Sequence, residues 1–244
     1  MTNKTDAVTL GSGKRWQEPW ETVTSGNLTL SVNAIGAASL KAYDDWGINL
    51  PDISFKFSAI SKSHAQPDRR PDKDDGAWEA LDGKKTEAGG HEQINVCGLR
   101  EGIALRRGVE IVGNNVTMDF DGLGVLPGKD ISNLAIAMNF ARKTPRDTMP
   151  FVAELSNGKN SSGDLCKNFL SITGVKSLKF TSGAHTVLME FSEELGEGWM
   201  LQNTGDPETS DSRMVATIWC RSTSLQQLRK VNGKWHSHIS VSVQ

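Results

Sequence analysis

Along most of this chain, apolar side chains recur at every second position. Leu28, Leu30, Val32 and Ala34 alternate with Thr29, Ser31 and Asn33, and Ile53, Phe55, Phe57 and Ala59 repeat the pattern. In extended backbone, successive side chains point to opposite faces, so this spacing makes one apolar and one polar face. A helix would need its apolar residues three and four apart. The same alternation carries Val116, Met118 and Phe120; Leu134, Ile136, Met138 and Phe140; Phe151, Ala153 and Leu155; His185, Val187, Met189 and Phe191; and Ile239, Val241 and Val243. Val175, Leu178 and Phe180 keep it less strictly, and Trp199 and Leu201 add a short piece. The run MVATIWC, ending at Cys220, is apolar on both faces, as a central strand requires.

Turn signals separate these runs. Asp75-Gly76, Asp82-Gly83, Asp121-Gly122, Asn157-Gly158 and Asn232-Gly233 are Asx-Gly pairs, suited to positive φ. Val231-Asn232-Gly233-Lys234 reads as a two-residue type I′ hairpin joining a strand that ends near Val231 to the last strand. Helical signal is confined to a short turn within residues 39–47 and to Leu225 and Leu228 in residues 223–231, where the hairpin competes. The fold class expected is therefore all-β: an antiparallel β-sandwich, jelly-roll-like, with ten or more short strands and little helix.

Residues 1–244 are expected to form a single β-sandwich domain, since such folds often reach about 200–250 residues as one unit. Residues 61–93 are polar, charged and rich in Pro and Gly, and read as a long polar loop excursion. Shorter excursions are read from Ser156 to Asp164 and from Gly205 to Ser212.

With 27 basic and 29 acidic residues the net charge is -2, so no strong field favours nucleic acid or an anionic membrane. No apolar run approaches the roughly 20 residues of a membrane span. The polar start MTNKTDAVTLGSGKRW has no apolar signal region. A surface or virion location is expected if the chain is a mature form, and a cytoplasmic one otherwise. Three cysteines make no disulfide framework. Cys220 reads as a buried thiol; Cys97 and Cys166 read as two free thiols, or as one disulfide in an oxidising compartment.

Candidate sites are few. Trp199 and Trp235 lie beside turns, where exposed indoles would stack on sugar rings; the competing reading is burial, which Trp219 is expected to follow. His236 and His238 form an H-x-H pair whose side chains share a strand face, so both would reach one ligand or metal. A metal would need a third donor from His185, His91 or a carboxylate, and two surface histidines are the simpler reading. Asp72, Asp74 and Asp75 resemble a calcium loop but fail the EF-hand template, because Lys73 takes a ligand place. A solvated charged loop is the preferred reading, calcium held by an irregular loop is the alternative, and no organic cofactor is indicated.

Phosphate motifs fail: Gly11-Ser12-Gly13-Lys14 lacks the upstream Gly, and Gly122, Gly124 and Gly128 miss the spacing of a dinucleotide loop. No nucleophile elbow is present. Glu190, Glu193, Glu194, Glu197 and Glu208 are available as paired carboxylates for glycoside hydrolysis, Glu190 being best placed on a strand. The reading ranked first is a non-catalytic structural or adhesive subunit of a surface fibre, pilus or particle, assembling with copies of itself through strand edges. The alternatives are a carbohydrate-binding β-sandwich module with glycans as partners, and a polysaccharide-acting hydrolase.

Overall fold

A computed structural model describes residues 19–33, 38–44, 46–57, 79–86, 90–97, 102–126, 131–141, 148–166, 170–192, 199–203, 215–220, 223–224 and 230–244. Nearly all of them are in antiparallel strands, as the alternation predicts. The first four strands form a small sheet in sequence order: β1 (Pro19–Ser25), β2 (Leu28–Asn33), β3 (Ala38–Ala42) and β4 (Gly47–Asn49). The remaining strands are β5 (Asp52–Phe57), β6 (Glu79–Thr86), β7 (Gly90–Cys97), β8 (Gly102–Val112), β9 (Asn115–Leu126), β10 (Ile131–Ala141), β11 (Pro150–Leu155), β12 (Asn160–Asp164), β13 (Leu170–Ser182), β14 (His185–Phe191), β15 (Trp199–Asn203), β16 (Val215–Cys220), β17 (Thr223–Ser224) and β18 (Lys234–Val243). They make one large sheet, ordered β17-β10-β16-β15-β13-β14-β18-β9-β8-β7-β6, with β11, β12 and β5 paired off that path.

The alternating residues bury as their spacing predicts. Leu28, Leu30 and Val32, then Val116, Met118 and Phe120, then Val187, Met189 and Phe191, and finally Ile239, Val241 and Val243 all enter one apolar core. That core joins the small sheet to the large one. The irregular run in β13 has a local cause. Gly174 adopts φ +70°, and the pairing with β15 and with β11 shifts register around it. Val175 is buried on one side of this irregularity and Leu178 and Phe180 on the other, so the apolar parity changes within a single strand.

Several sequence expectations need correction. The polar stretch 61–93 is not all loop: β6 and the start of β7 lie within it and form an edge of the large sheet. Edge strands need fewer apolar residues than central ones, which is why the alternation is weak there. Residues 156–164 likewise contain β12, which pairs with β11. The turn of helix expected in 39–47 is replaced by β3, a turn and β4. Asp82-Gly83 and Asp121-Gly122 lie inside strands, the former where β6 shifts register. Asn157-Gly158 is a turn, with Gly158 at φ +76°. Asp75-Gly76 and the third excursion, 205–212, lie outside the described residues.

The turn at Asn232-Gly233 has the geometry its sequence predicts. Both residues have positive φ, +54° and +67°, and the Lys234 N–H donates to the Val231 carbonyl at 3.0 Å. It does not close a hairpin, however. The last strand, β18, inserts between β9 and β14, so its ladder bonds go to those strands. Cys166 is a buried thiol outside any disulfide, and the Cys97 side chain lies outside the described residues.

Gly122 faces inward on β9, opposite Trp235 of β18. A Cβ at this position would overlap the Gly233 carbonyl oxygen and the Trp235 indole. The glycine is therefore required by close packing of the indole across the strand. Gly122→Ala is expected to cost about 1–3 kcal/mol by overpacking. Chemical denaturation of the two proteins checks this; an unchanged midpoint would show that the indole is free to move aside.

A second contact ties the sheets together. The His185 ring, at the start of β14, donates to the Asp44 carboxylate at 2.9 Å and lies 4.6 Å from the Trp46 ring. This hydrogen bond, helped by the Trp46 backbone N–H, holds the Asp44 carboxyl below its ordinary value of 3.8. Because the folded value is depressed, the stabilisation is present above 3.8 and is lost as pH falls through the lowered value. In His185→Ala, the Asp44 titration followed by NMR is expected to move back up toward its ordinary position. No movement would assign the depression to another cause.

Candidate functional site: paired imidazoles and carboxylates on the outer sheet face

Strands β9 and β18 run antiparallel, with His236 opposite Asp121 and His238 opposite Asp119. Their inward positions, Met118, Phe120, Ser237 and Ile239, are buried. Period two then sends Asp119, Asp121, His236 and His238 to the outer face. Their side chains are between 31% and 45% exposed, open enough for a ligand to reach them.

The four groups form two imidazole–carboxylate pairs side by side. His236 Nδ1 lies 2.8 Å from Asp121 Oδ1, and His238 Nδ1 lies 2.8 Å from Asp119 Oδ1. The pairs share a member, because Asp119 Oδ1 is also 3.6 Å from His236 Nε2. Asp119, His236 and His238 are a group of potential metal ligands whose donor atoms all lie within 4.8 Å of one another. The backbone beneath them is fixed on the other side too. The His238 N–H donates to Ser192 Oγ at 2.7 Å, and the Ser192 N–H to the His238 carbonyl at 2.9 Å.

The polar face continues outward from this centre. On one side, Ser240 Oγ donates to Glu190 Oε2 of β14 at 3.2 Å. On the other, Arg106 of β8 lies 3.6 Å from Glu92 of β7. These groups offer both donors and acceptors to a hydroxyl-rich molecule. The inward face of the same strands also carries polar residues, His91, Arg107 and Ser237, but each is at most 4% exposed and closed to a ligand from solvent.

Of the residues singled out by sequence, His236 and His238 are brought together with carboxylates. Of the third partners the sequence allowed, His185, His91 or a carboxylate, it is a carboxylate, Asp119, that lies beside both rings. His185 binds Asp44 at the junction of the sheets, and His91 is buried on the inward side. Trp199 corrects the expectation of an exposed sugar platform: it is 1% exposed, stacks on Phe191 at 4.5 Å, and its Nε1 donates to the Ser192 carbonyl. Trp235 is half-buried with its indole nitrogen enclosed, so its ring faces the core and not the outer face. The buried side chain of Trp46 likewise offers no platform. Asp72, Asp74 and Asp75 lie outside the described residues, as do Glu193, Glu194, Glu197 and Glu208, and so does the Trp219 side chain.

Sequence does not single out Asp119, and it marks Asp121 only as part of a turn signal. Their signal is the alternation in VTMDFDG, which sets two acids on one polar face just as HSH sets two histidines on another. Which faces meet depends on a pairing between residues more than a hundred positions apart.

No known sequence family matches the chain, and no curated protein matches it in sequence. Solved structures do match in fold. A galactose mutarotase-like protein from Lactobacillus casei aligns over 92% of this chain and 99% of its own, at 10% identity and a TM-score of 0.55. A putative aldose 1-epimerase from Escherichia coli K12 aligns over 91% and 98%, at 11% identity and a TM-score of 0.53. The α-N-acetylgalactosaminidase NagBb from Bifidobacterium bifidum aligns over 92% of this chain but 36% of its own, at 10% identity and a TM-score of 0.53. The chain therefore has the galactose mutarotase-like β-sandwich fold. These neighbours are named as sugar-acting proteins, and that finding overturns the expectation of a non-catalytic structural or adhesive subunit.

Proposed function

We propose that this chain acts on a sugar as an enzyme, and that the outer face of β9, β18 and β14 receives it. The observation that carries the reading is the pair of 2.8 Å imidazole–carboxylate contacts set side by side on an accessible face. Imidazole exchanges protons near neutral pH, and a carboxylate on one ring nitrogen orients the ring so that the other serves the reaction.

The fold neighbours named for aldose 1-epimerase and galactose mutarotase point to interconversion of anomers as the reaction class. Opening an aldose ring removes a proton from the anomeric hydroxyl. As that oxygen becomes a carbonyl, the bond from the anomeric carbon to the ring oxygen breaks, and the ring oxygen takes up a proton. Closure on the opposite face reverses both transfers. One group must accept while another donates, and His236 and His238 offer two such groups on one face. Glu190 and Ser240 on one flank, and Arg106 and Glu92 on the other, would hold the remaining hydroxyls.

Hydrolysis is less well supported. Asp119 and Glu190 stand on strands separated by β18 and two residues out of line. That offset puts their Cα atoms roughly 12 Å apart, and the other acids read from sequence as partners of Glu190, namely Glu193, Glu194, Glu197 and Glu208, lie outside the described residues, so no described carboxyl pair carries this reading. With Trp199 and Trp235 turned inward, neither indole offers a stacking surface, and the described groups of this face would hold a sugar by hydrogen bonds.

The test is anomer equilibration of glucose and galactose, followed by polarimetry or NMR. The purified chain is expected to speed it above the buffer rate. His236→Gln and His238→Gln are each expected to lower the protein-dependent rate about 100-fold or more. A wild-type rate equal to buffer would sink the reaction class. Sugar-dependent NMR shifts at His236 and His238 without conversion would leave a binding module instead.

A further inference from the structure

We propose that Asp119, His236 and His238 hold one divalent transition-metal ion, with zinc the best match. The proposal goes beyond the sugar reading and does not depend on it.

Three kinds of donor geometry favour this. First, the donor atoms belong to adjacent strands and already converge within 4.8 Å. Second, four-coordinate zinc with bonds of about 2.0–2.1 Å sets neighbouring donors about 3.3–3.4 Å apart. The separation between His236 Nε2 and Asp119 Oδ1, 3.6 Å, is already near that edge length. The separation between His238 Nδ1 and the same oxygen, 2.8 Å, has to open by about half an ångström as the ion displaces the shared proton. Third, His236 Nδ1 is bound to Asp121 at 2.8 Å. A carboxylate on one nitrogen of an imidazole fixes its tautomer and turns the other lone pair toward the ion, as carboxylates commonly do behind metal-bound histidines.

The donor set selects the kind of ion. Two imidazoles and one carboxylate suit zinc, and also cobalt, nickel and copper. Calcium asks for six to eight oxygen donors, which this cluster does not offer. The ligands sit on a paired strand, with His238 further held by Ser192, so little ordering is required on binding. Their exposure, 43% to 45%, leaves a route in and an outer coordination position for water.

The experiment is dialysis of the purified full chain against zinc and then against metal-free buffer, with retained zinc counted by elemental mass spectrometry. Cobalt substitution adds a visible absorption band diagnostic of four-coordinate geometry. The wild type is expected to retain about one equivalent. Asp119→Asn and His238→Gln should each lose it, Asp121→Asn should bind about 10–100-fold more weakly, and Glu110→Gln, on the same face, should match the wild type. Circular dichroism confirms that each variant is folded. Equal retention by the wild type and the Asp119 and His238 variants, or none by any, overturns the site. Anomer conversion by zinc-free protein is scored separately, so either proposal stands or falls without the other.

Discussion

The ladder between β9 and β18 decides what both faces of this region become. Nine residue pairs run from Asn115–Ser242 to Leu123–Lys234. On the inward side they set Met118, Phe120, Ile239 and Val241 into the core; on the outward side they set Asp119 and Asp121 against His238 and His236. Because the side-chain period is two, a slip of one residue in β18 would exchange its faces. His236 and His238 would then enter the core, and Ile239 and Val241 would meet solvent. The arrangement of the polar cluster is thus a consequence of where apolar residues must go.

Magnitudes show which side controls the other. Burying an aliphatic or aromatic side chain stabilises by roughly 1.5–3 kcal/mol, so the inward residues of this one seam outweigh by several fold an exposed polar pair, worth at most about 1 kcal/mol. The outer pairs thus contribute little to the fold beside these inward residues. On the inward side, Gly122 is fixed by packing: the Trp235 indole occupies the space that any side chain there would need. The two faces of one strand therefore carry different constraints, close packing on one and contact with solvent on the other.

The sheet architecture was legible because alternation survives wherever one face is buried. Leu28 to Val32, Val116 to Phe120 and Ile239 to Val243 were each read correctly from spacing alone. It failed where burial is not the main constraint. The strand pair β6 and β7 was concealed in a polar stretch because it lies toward the sheet edge. Asp121-Gly122 looked like a turn because small residues mark both turns and close packing, and only the third dimension supplies the indole that distinguishes them. Trp199 looked exposed because Gly196 and Gly198 precede it, yet its ring stacks on Phe191. For the candidate site, the H-x-H spacing was visible. Its partners were not, because a strand names its own faces but not its neighbour.

That limitation explains why a search for motifs finds so little in this chain. Loops that cradle phosphate, or elbows that raise a nucleophile, are local and leave a contiguous trace. Groups that stand singly on paired strands leave only alternation, the same trace that any half-buried strand leaves. Proton exchange with a sugar asks for weak acids and bases on one surface at a fixed spacing, which a ladder of strands supplies without a motif. The same spacing brings imidazole lone pairs within reach of an ion. Each lone pair can take up a proton or bind a metal, but not both at once. On the two proposed readings His236 Nε2 is the nitrogen that both would use, because His238 would bind an ion through Nδ1, beside Asp119, and exchange a proton through Nε2.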